Sequence, residues 1–156
     1  MNPNTESELL SPTSATASGQ VQAFTWDSCT HGTGRICQVS DPTGSVSYTY
    51  TQTGQVATQS SVLPASGSAS HAYTYDEAGR LTGIGYPGSV GVGYSYVNGA
   101  VRAVTVTLGG ISHTVATDIA HQPFGPTRSW NYGNGLSRTQ AYDLDGRVTE
   151  LNTKHG

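Results

Sequence analysis

An eleven-residue pattern recurs along this chain. Its fullest copy is His71-Ala-Tyr73-Thr-Tyr75-Asp76-Glu-Ala-Gly79-Arg80-Leu81. A second copy reads Gln140-Ala-Tyr142-Asp143-Leu-Asp-Gly146-Arg147-Val148, and a weaker one Ser47-Tyr48-Thr-Tyr50-Thr51-Gln-Thr-Gly54-Gln55-Val56. Tyr94-Ser-Tyr96-Val97-Asn-Gly99-Ala100-Val101 is weaker again, and Phe24-Thr-Trp26-Asp27, followed by Gly34-Arg35-Ile36, opens the series. The glycines fall at 34, 54, 79, 99 and 146, with one more candidate at Gly125 that lacks the aromatic-to-Gly spacing. Steps of 20 to 26 residues hold two short strands and their turns. A unit of that size buries its face only against its neighbours, so a stacked array is expected rather than a single packed core.

The pattern has a physical reading at each position. Tyr73 and Tyr75 alternate with Ala72 and Thr74, which puts both rings on one side of a strand. Asp76 follows as an acceptor for backbone N–H groups of a turn, and Gly79 supplies the positive φ that other residues adopt only at a cost. Leu81 begins the returning strand. Asp and Arg occur together in three units, as Asp27 with Arg35, Asp76 with Arg80, and Asp143 with Arg147. They are lost together in two, where Thr51 stands with Gln55 and Val97 with Ala100. Joint loss predicts contact between the two across the turn.

Composition agrees with strands throughout. The chain carries 21 Thr, 18 Ser, 20 Gly and 9 Tyr, while Lys154 is its only lysine. β-Branched and aromatic residues favour strands, and the usual Ala-Glu-Lys-Leu helix mixture is missing. The fold class expected is all-β, built from consecutive antiparallel hairpins with no substantial helix. At 156 residues the chain suits one domain. Charged residues are 11% of it and the net charge is −3, which excludes the basic surface of a nucleic-acid binder. No run of 18 apolar residues exists to span a membrane as a helix. Residues 1–20 are polar, lack the basic and apolar regions of a signal peptide, and read as a disordered leader or linker. Residues 21–152 form the repeat region and residues 153–156 a tail.

The repeat resembles the Rhs or YD repeat, whose hallmark is Tyr-Asp, three positions ending in Gly, then Arg and an aliphatic residue. Tyr75 to Leu81 and Tyr142 to Val148 carry it closely. His121-Gln-Pro-Phe-Gly-Pro, with the later Trp130-Asn-Tyr-Gly-Asn-Gly135-Leu, looks like the segment between repeats. The resemblance spans about residues 24 to 151. It implies sheets that spiral into hollow shells, enclosing a toxin module in bacterial polymorphic toxins, with related shells in insecticidal toxin complexes and teneurins. It also implies remaining shell repeats and a toxin domain as partners, and a secreted or cell-surface destination. The aspartyl self-cleavage segment that often closes such shells is not found. The resemblance implies a structural role with no catalysis.

Chemistry-bearing patterns are few. Cys29 and Cys37 bracket a hairpin whose Trp26-to-Gly34 spacing is four residues longer than in other complete units. A disulfide there would be worth roughly 2.5 kcal/mol in the loop-entropy picture, and two reduced thiols are the alternative. His31 beside them lacks a fourth ligand and metal-site spacing, so no metal or cofactor is expected. Gly83-Ile-Gly85-Tyr-Pro-Gly88 matches a dinucleotide fingerprint, but Pro87 and the strand-like Val90 to Tyr96 follow where a helix is required. Ser40 to Gly44 contains Asp41-Pro42 and reads as a turn. The remaining histidines and carboxylates compose no catalytic set, and a triad of His113, Asp118 and a serine is guesswork. Trp26, Asp27, Gly34, Arg35, Tyr50, Gly54, Tyr75, Asp76, Gly79, Arg80, Tyr96, Gly99, Tyr142, Asp143, Gly146 and Arg147 are expected to be structural.

One stripe has two readings. Tyr48, Tyr50, Tyr73, Tyr75, Tyr94 and Tyr96 are placed to form an aromatic ladder across strands. Buried, it holds the sheet together. Exposed, it stacks on sugar rings or grips a cell-surface peptide. The expected function is therefore a structural shell segment. A carbohydrate- or surface-binding array is the alternative, and a hydrolase with an unrecognised site the second.

Overall fold

The computed structural model describes residues 21–123 and 125–155; the segment read as a leader lies outside them. Every regular element among the described residues is a strand. The strands are β1 (Ala23–Trp26), β2 (Ile36–Asp41), β3 (Gly44–Tyr50), β4 (Val56–Leu63), β5 (Gly67–Tyr75), β6 (Leu81–Tyr86), β7 (Val90–Val97), β8 (Ala100–Leu108), β9 (Ile111–His121), β10 (Thr127–Tyr132), β11 (Leu136–Tyr142) and β12 (Val148–His155). Their order in the sheet is their order in the chain. The all-β meander of consecutive hairpins expected from the repeat is what the chain forms. Residues 153–155 do not hang free: Leu136 pairs with His155 and Ser137 with Lys154, because β11 is long enough to offer them ladder partners.

The chain divides into two compact units, one up to His71 and one from Ala72 onward. The first holds β1 to β4 and the start of β5. Thr25 pairs with Gln38, Gln38 with Ser47 and Ser47 with Ser60, so one face is lined with hydroxyls and amides. Thr49 and Thr58 bond each other at 2.7 Å on that face, and Ser60 and Ser70 at 2.9 Å. The next row, Phe24, Val39 and Val46, faces the other way. This is period-two alternation between a polar face and an apolar one.

The second unit runs from the end of β5 to β12 and repeats the division more sharply. Tyr73, Ile84, Val92 and Val106 lie in one cross-strand row. Thr74, Gly83, Gly93 and Thr105 lie in the neighbouring row, on the opposite face. A Cβ on Gly83 would sit 2.8 Å from the Thr74 hydroxyl, and one on Gly93 2.6 Å from that of Thr105. The threonines therefore fold over the glycines, which cannot be enlarged without moving them. Gly83 and Gly85 of the dinucleotide-like pattern are strand residues of β6, so no helix N-terminus follows them.

Neither unit has a buried centre. Among the described residues the only buried hydrophobic side chains are Cys37 and Ala116. Leu108, Ile111 and Leu151 remain about half exposed or more. Globular domains cover an apolar face with a second layer; here a layer of strands keeps its apolar rows open, and neighbouring hairpins do the holding.

Candidate functional site

The turns at the Tyr-Asp motifs are built alike. In β5–β6 the Gly79 N–H donates to the Asp76 carbonyl and the Asp76 N–H to the Arg80 carbonyl, with Gly79 at φ 77°. This is a type I turn closed by a left-handed residue, the arrangement that tolerates little but glycine there. The Asp76 carboxylate accepts from the backbone N–H groups of Ala78 and Arg80 and from the Arg80 guanidinium at 2.7 Å. The Arg80 backbone N–H, then its side chain, holds the Asp76 carboxyl below the usual carboxylate range.

The same pair of backbone bonds closes Thr51–Gln55, Gln122–Pro126 and Asp143–Arg147. The Gly125 candidate is thus a member of the series although its sequence spacing is different: Gln122 stands where Asp does and Pro126 where Arg does. The Gly99 member is a different turn. Asn98 and Gly99 both have positive φ, a two-residue hairpin loop that closes without help from a carboxylate. That explains why Val97 and Ala100 replace Asp and Arg as a pair.

The expected Asp–Arg contact takes three forms. Asp76 and Arg80 form a side-chain ion pair. Asp143 instead accepts the backbone N–H groups of Asp145 and Arg147, while the Arg147 guanidinium pairs with Asp145 at 3.1 Å. Asp27 accepts the Gly34 N–H, and Arg35 donates to the Thr33 carbonyl. What the three share is the carboxylate on the turn's backbone. In the Thr51 turn a hydroxyl does that work, accepting the Gln55 N–H at 3.1 Å.

The aromatic residue just before each turn has a constant place. Trp26, Tyr50, Tyr75, Tyr96 and Tyr142 face Ile36, Val56, Leu81, Val101 and Val148, each with a register shift beside it. Three of these tyrosines reach back to the preceding hairpin. The Tyr50 hydroxyl donates to the Ile36 carbonyl at 2.6 Å, Tyr96 to Leu81 at 2.7 Å and Tyr142 to Thr127 at 2.7 Å. In two cases the arginine of that preceding turn lies over the ring, Arg35 at 5.4 Å from Tyr50 and Arg80 at 4.7 Å from Tyr96. The motif is thus a latch. Aspartate shapes the turn, arginine roofs the next tyrosine, and that tyrosine's hydroxyl ties the two hairpins together.

All six stripe tyrosines are half-buried. On the strand that follows, their partners are Gln59, Val56, Ile84, Leu81, Val104 and Val101, so the aromatic rows are interleaved with aliphatic and amide side chains. Desolvation, with Tyr73 nearby, raises the Tyr75 phenol above its ordinary value.

Cys29 and Cys37 are joined in a disulfide with Cα atoms 5.5 Å apart. It shapes the enlarged first loop, which folds onto Tyr50. The Tyr50 N–H donates to the Thr30 carbonyl and its carbonyl accepts from His31 Nδ1 at 2.9 Å. The extra residues thus serve as a strand stub along β3 beyond the start of β2.

Sequence reasoning missed two arrangements. Arg102, Asp118, Asn131 and Ser137 form a hydrogen-bonded chain across β8 to β11, with Arg102 on Asp118 at 2.6 Å and Ser137 on Asn131 at 2.9 Å. Asp118 sits at φ 53°, a kink that no local residue signals. Ala116, Ile119, Pro126, Thr127, Trp130, Gln140 and Tyr142 line an open depression of about 450 Å³. Trp130 is edge-on to Tyr132 there, and Arg138 lies over it. Among the described residues no group of three or more His, Cys, Asp or Glu side chains is placed to hold a metal ion.

No family model matches the sequence, and no curated protein does. Solved structures do match by fold. The TcdB2-TccC3-Cdc42 complex is similar over 85% of this chain, at TM-score 0.76 and 16% identity. The Tc holotoxin pore of Photorhabdus luminescens is similar over 94%, at the same TM-score and identity. The chain spans about 8% of the length of either. The motifs and the fold agree: these strands have the fold of an Rhs/YD-type repeat sheet.

Proposed function

We propose that the chain is a wall segment of a toxin-complex-type shell, one that encloses or displays a toxin module without itself reacting. The latch between successive hairpins carries this reading. It makes a sheet that coheres sideways and needs no core, as a wall does and a ligand-binding domain does not. Likeness to toxin-complex chains supports it, and the Cys29–Cys37 disulfide suits an exported protein in an oxidising setting. Further shell repeats and a toxin module are then its partners. Replacing Tyr50, Tyr96 and Tyr142 together by Phe tests the reading by circular dichroism melting and a glycan-binding screen. A lower melt with no glycan bound by the parent supports a wall. Binding lost at an unchanged melt overturns it.

The Trp130 depression favours a second reading, recognition of a carbohydrate. Trp130 and Tyr142 give it aromatic walls and Gln140 a polar group, the combination that orients a sugar ring. Titration with oligosaccharides, repeated on Trp130→Ala, separates this from the wall.

A further inference from the structure

The latch leaves one socket and one plug unused among the described residues. Each observed latch joins the same two places. The plug is the aromatic at the end of an odd-numbered strand: Tyr50 closes β3, Tyr142 closes β11, and Tyr96 is next to last in β7. The socket is the carbonyl of the first residue of the strand before it: Ile36 of β2, Leu81 of β6 and Thr127 of β10. Register fixes their relation. With Gln38 opposite Ser47 and Ser40 opposite Ser45, Tyr50 comes level with Arg35. With Gly83 opposite Gly93, Tyr96 comes level with Arg80, and with Ser129 opposite Thr139, Tyr142 comes level with Pro126.

Val148 is the first residue of β12 and follows a complete turn, with Gly146 at φ 79° and the Asp143 bonds in place. No described tyrosine stacks on Arg147, whose side chain is 77% exposed, and every residue of β12 is exposed. Trp26 is the last residue of β1, faces Ile36 across the same register shift, and is 39% exposed. It latches to nothing among the described residues, yet its indole N–H is a donor as a phenol is. β1 is odd-numbered, so it runs in the direction a strand beside β12 must take.

We propose that the β12 edge of one copy receives the β1 edge of a second copy, with Trp26 entering the socket made by Arg147 and the Val148 carbonyl. Carrying the internal register across places Trp26 level with Arg147, Phe24 opposite Thr149 and Ala23 opposite Glu150. The contact is heterologous, plug to socket, so it propagates head to tail instead of closing as a symmetric dimer. Unpaired strand edges supply the hydrogen bonds, and the latch supplies the register. This pairing needs the latch alone and stands apart from the wall reading.

Sedimentation velocity on the chain tests it. The parent protein is expected as a series of species that grows with concentration. Trp26→Ala, which lacks the plug, and Arg147→Ala, which lacks the roof of the socket, are each expected as monomers with unchanged far-UV circular dichroism. Their equimolar mixture is the decisive sample. Each brings the edge the other lost, so the mass doubles once and stops. If Trp26→Ala loses its fold, Trp26→Phe keeps the ring and removes only the donor, and weakened assembly is expected. A parent that stays monomeric, variants that still assemble alone, or a mixture that stays monomeric overturns the proposal.

Discussion

At Asp76 a single carboxylate receives two backbone N–H groups and a guanidinium, so its charge is useful to the fold. Its folded value lies below the ordinary 3.8. A depressed carboxyl stabilises the fold above its unfolded value, and that contribution is lost as pH falls through the lowered folded value. The melting temperature is therefore expected to drop with acid below about pH 4, and Asp76→Asn to flatten that slope; thermal melts across the acid range measure it. Gly32 acts by being small. A Cβ there would meet both sulfurs of the Cys29–Cys37 disulfide. Gly32→Ala is expected to melt lower than the parent when oxidised and level with it after reduction by dithiothreitol. If the gap persists after reduction, the glycine serves something other than the disulfide. The sequence shows why each residue type sits in its turn, since Asp and Gly are turn chemistry. It does not show which carboxylate an arginine will choose: Arg147 takes Asp145, two residues away, because Asp143 is already occupied by backbone.

Hairpins are the units that cohere, and the bond between them is a few atoms wide. Tyr96→Phe removes one hydroxyl from the Leu81 carbonyl and is expected to cost about 0.5–1.5 kcal/mol by chemical denaturation. Arg80→Ala removes the roof of the same ring and is expected to cost about 0.5–1 kcal/mol more than the ion pair alone explains. Because both changes act on one latch, the double variant is expected to lose less than the sum. The period of the hairpins was readable from the glycines, and the aromatic-to-Gly spacing gave the pairing of each turn. The Gly125 turn escaped that test because Gln122 and Pro126 supply its geometry without the usual side chains. The latch itself was not readable. It joins residues 14 or 15 apart, through a backbone carbonyl that has no sequence signature.

A molecule held this way has cohesion without an interior. Cys37 and Ala116 are its only buried hydrophobic side chains among the described residues, while Val97, Leu108 and Ile111 stay exposed. An apolar-surface dye such as ANS is expected to bind the folded chain and to lose fluorescence as the strands melt, whereas a packed domain binds little until it loosens. Fluorescence followed beside circular dichroism checks this. The alternation that makes one face apolar and the other Gly, Ser and Thr was legible in the repeat. The chain of Arg102, Asp118, Asn131 and Ser137 was not, because it depends on a kink at Asp118 that brings four strands' side chains into one line.

The latch also has a direction. Every tyrosine hydroxyl that ties two hairpins reaches back to a carbonyl nearer the N-terminus, as Tyr50 does to Ile36 and Tyr142 to Thr127. A chain leaving a ribosome meets its partners in that order. Each new hairpin finds its socket already built, and none must wait for sequence still to be made. Short sequence separation favours fast closure, and N-terminal segments settle first during synthesis. The sheet is therefore suited to growing like knitting, row upon finished row.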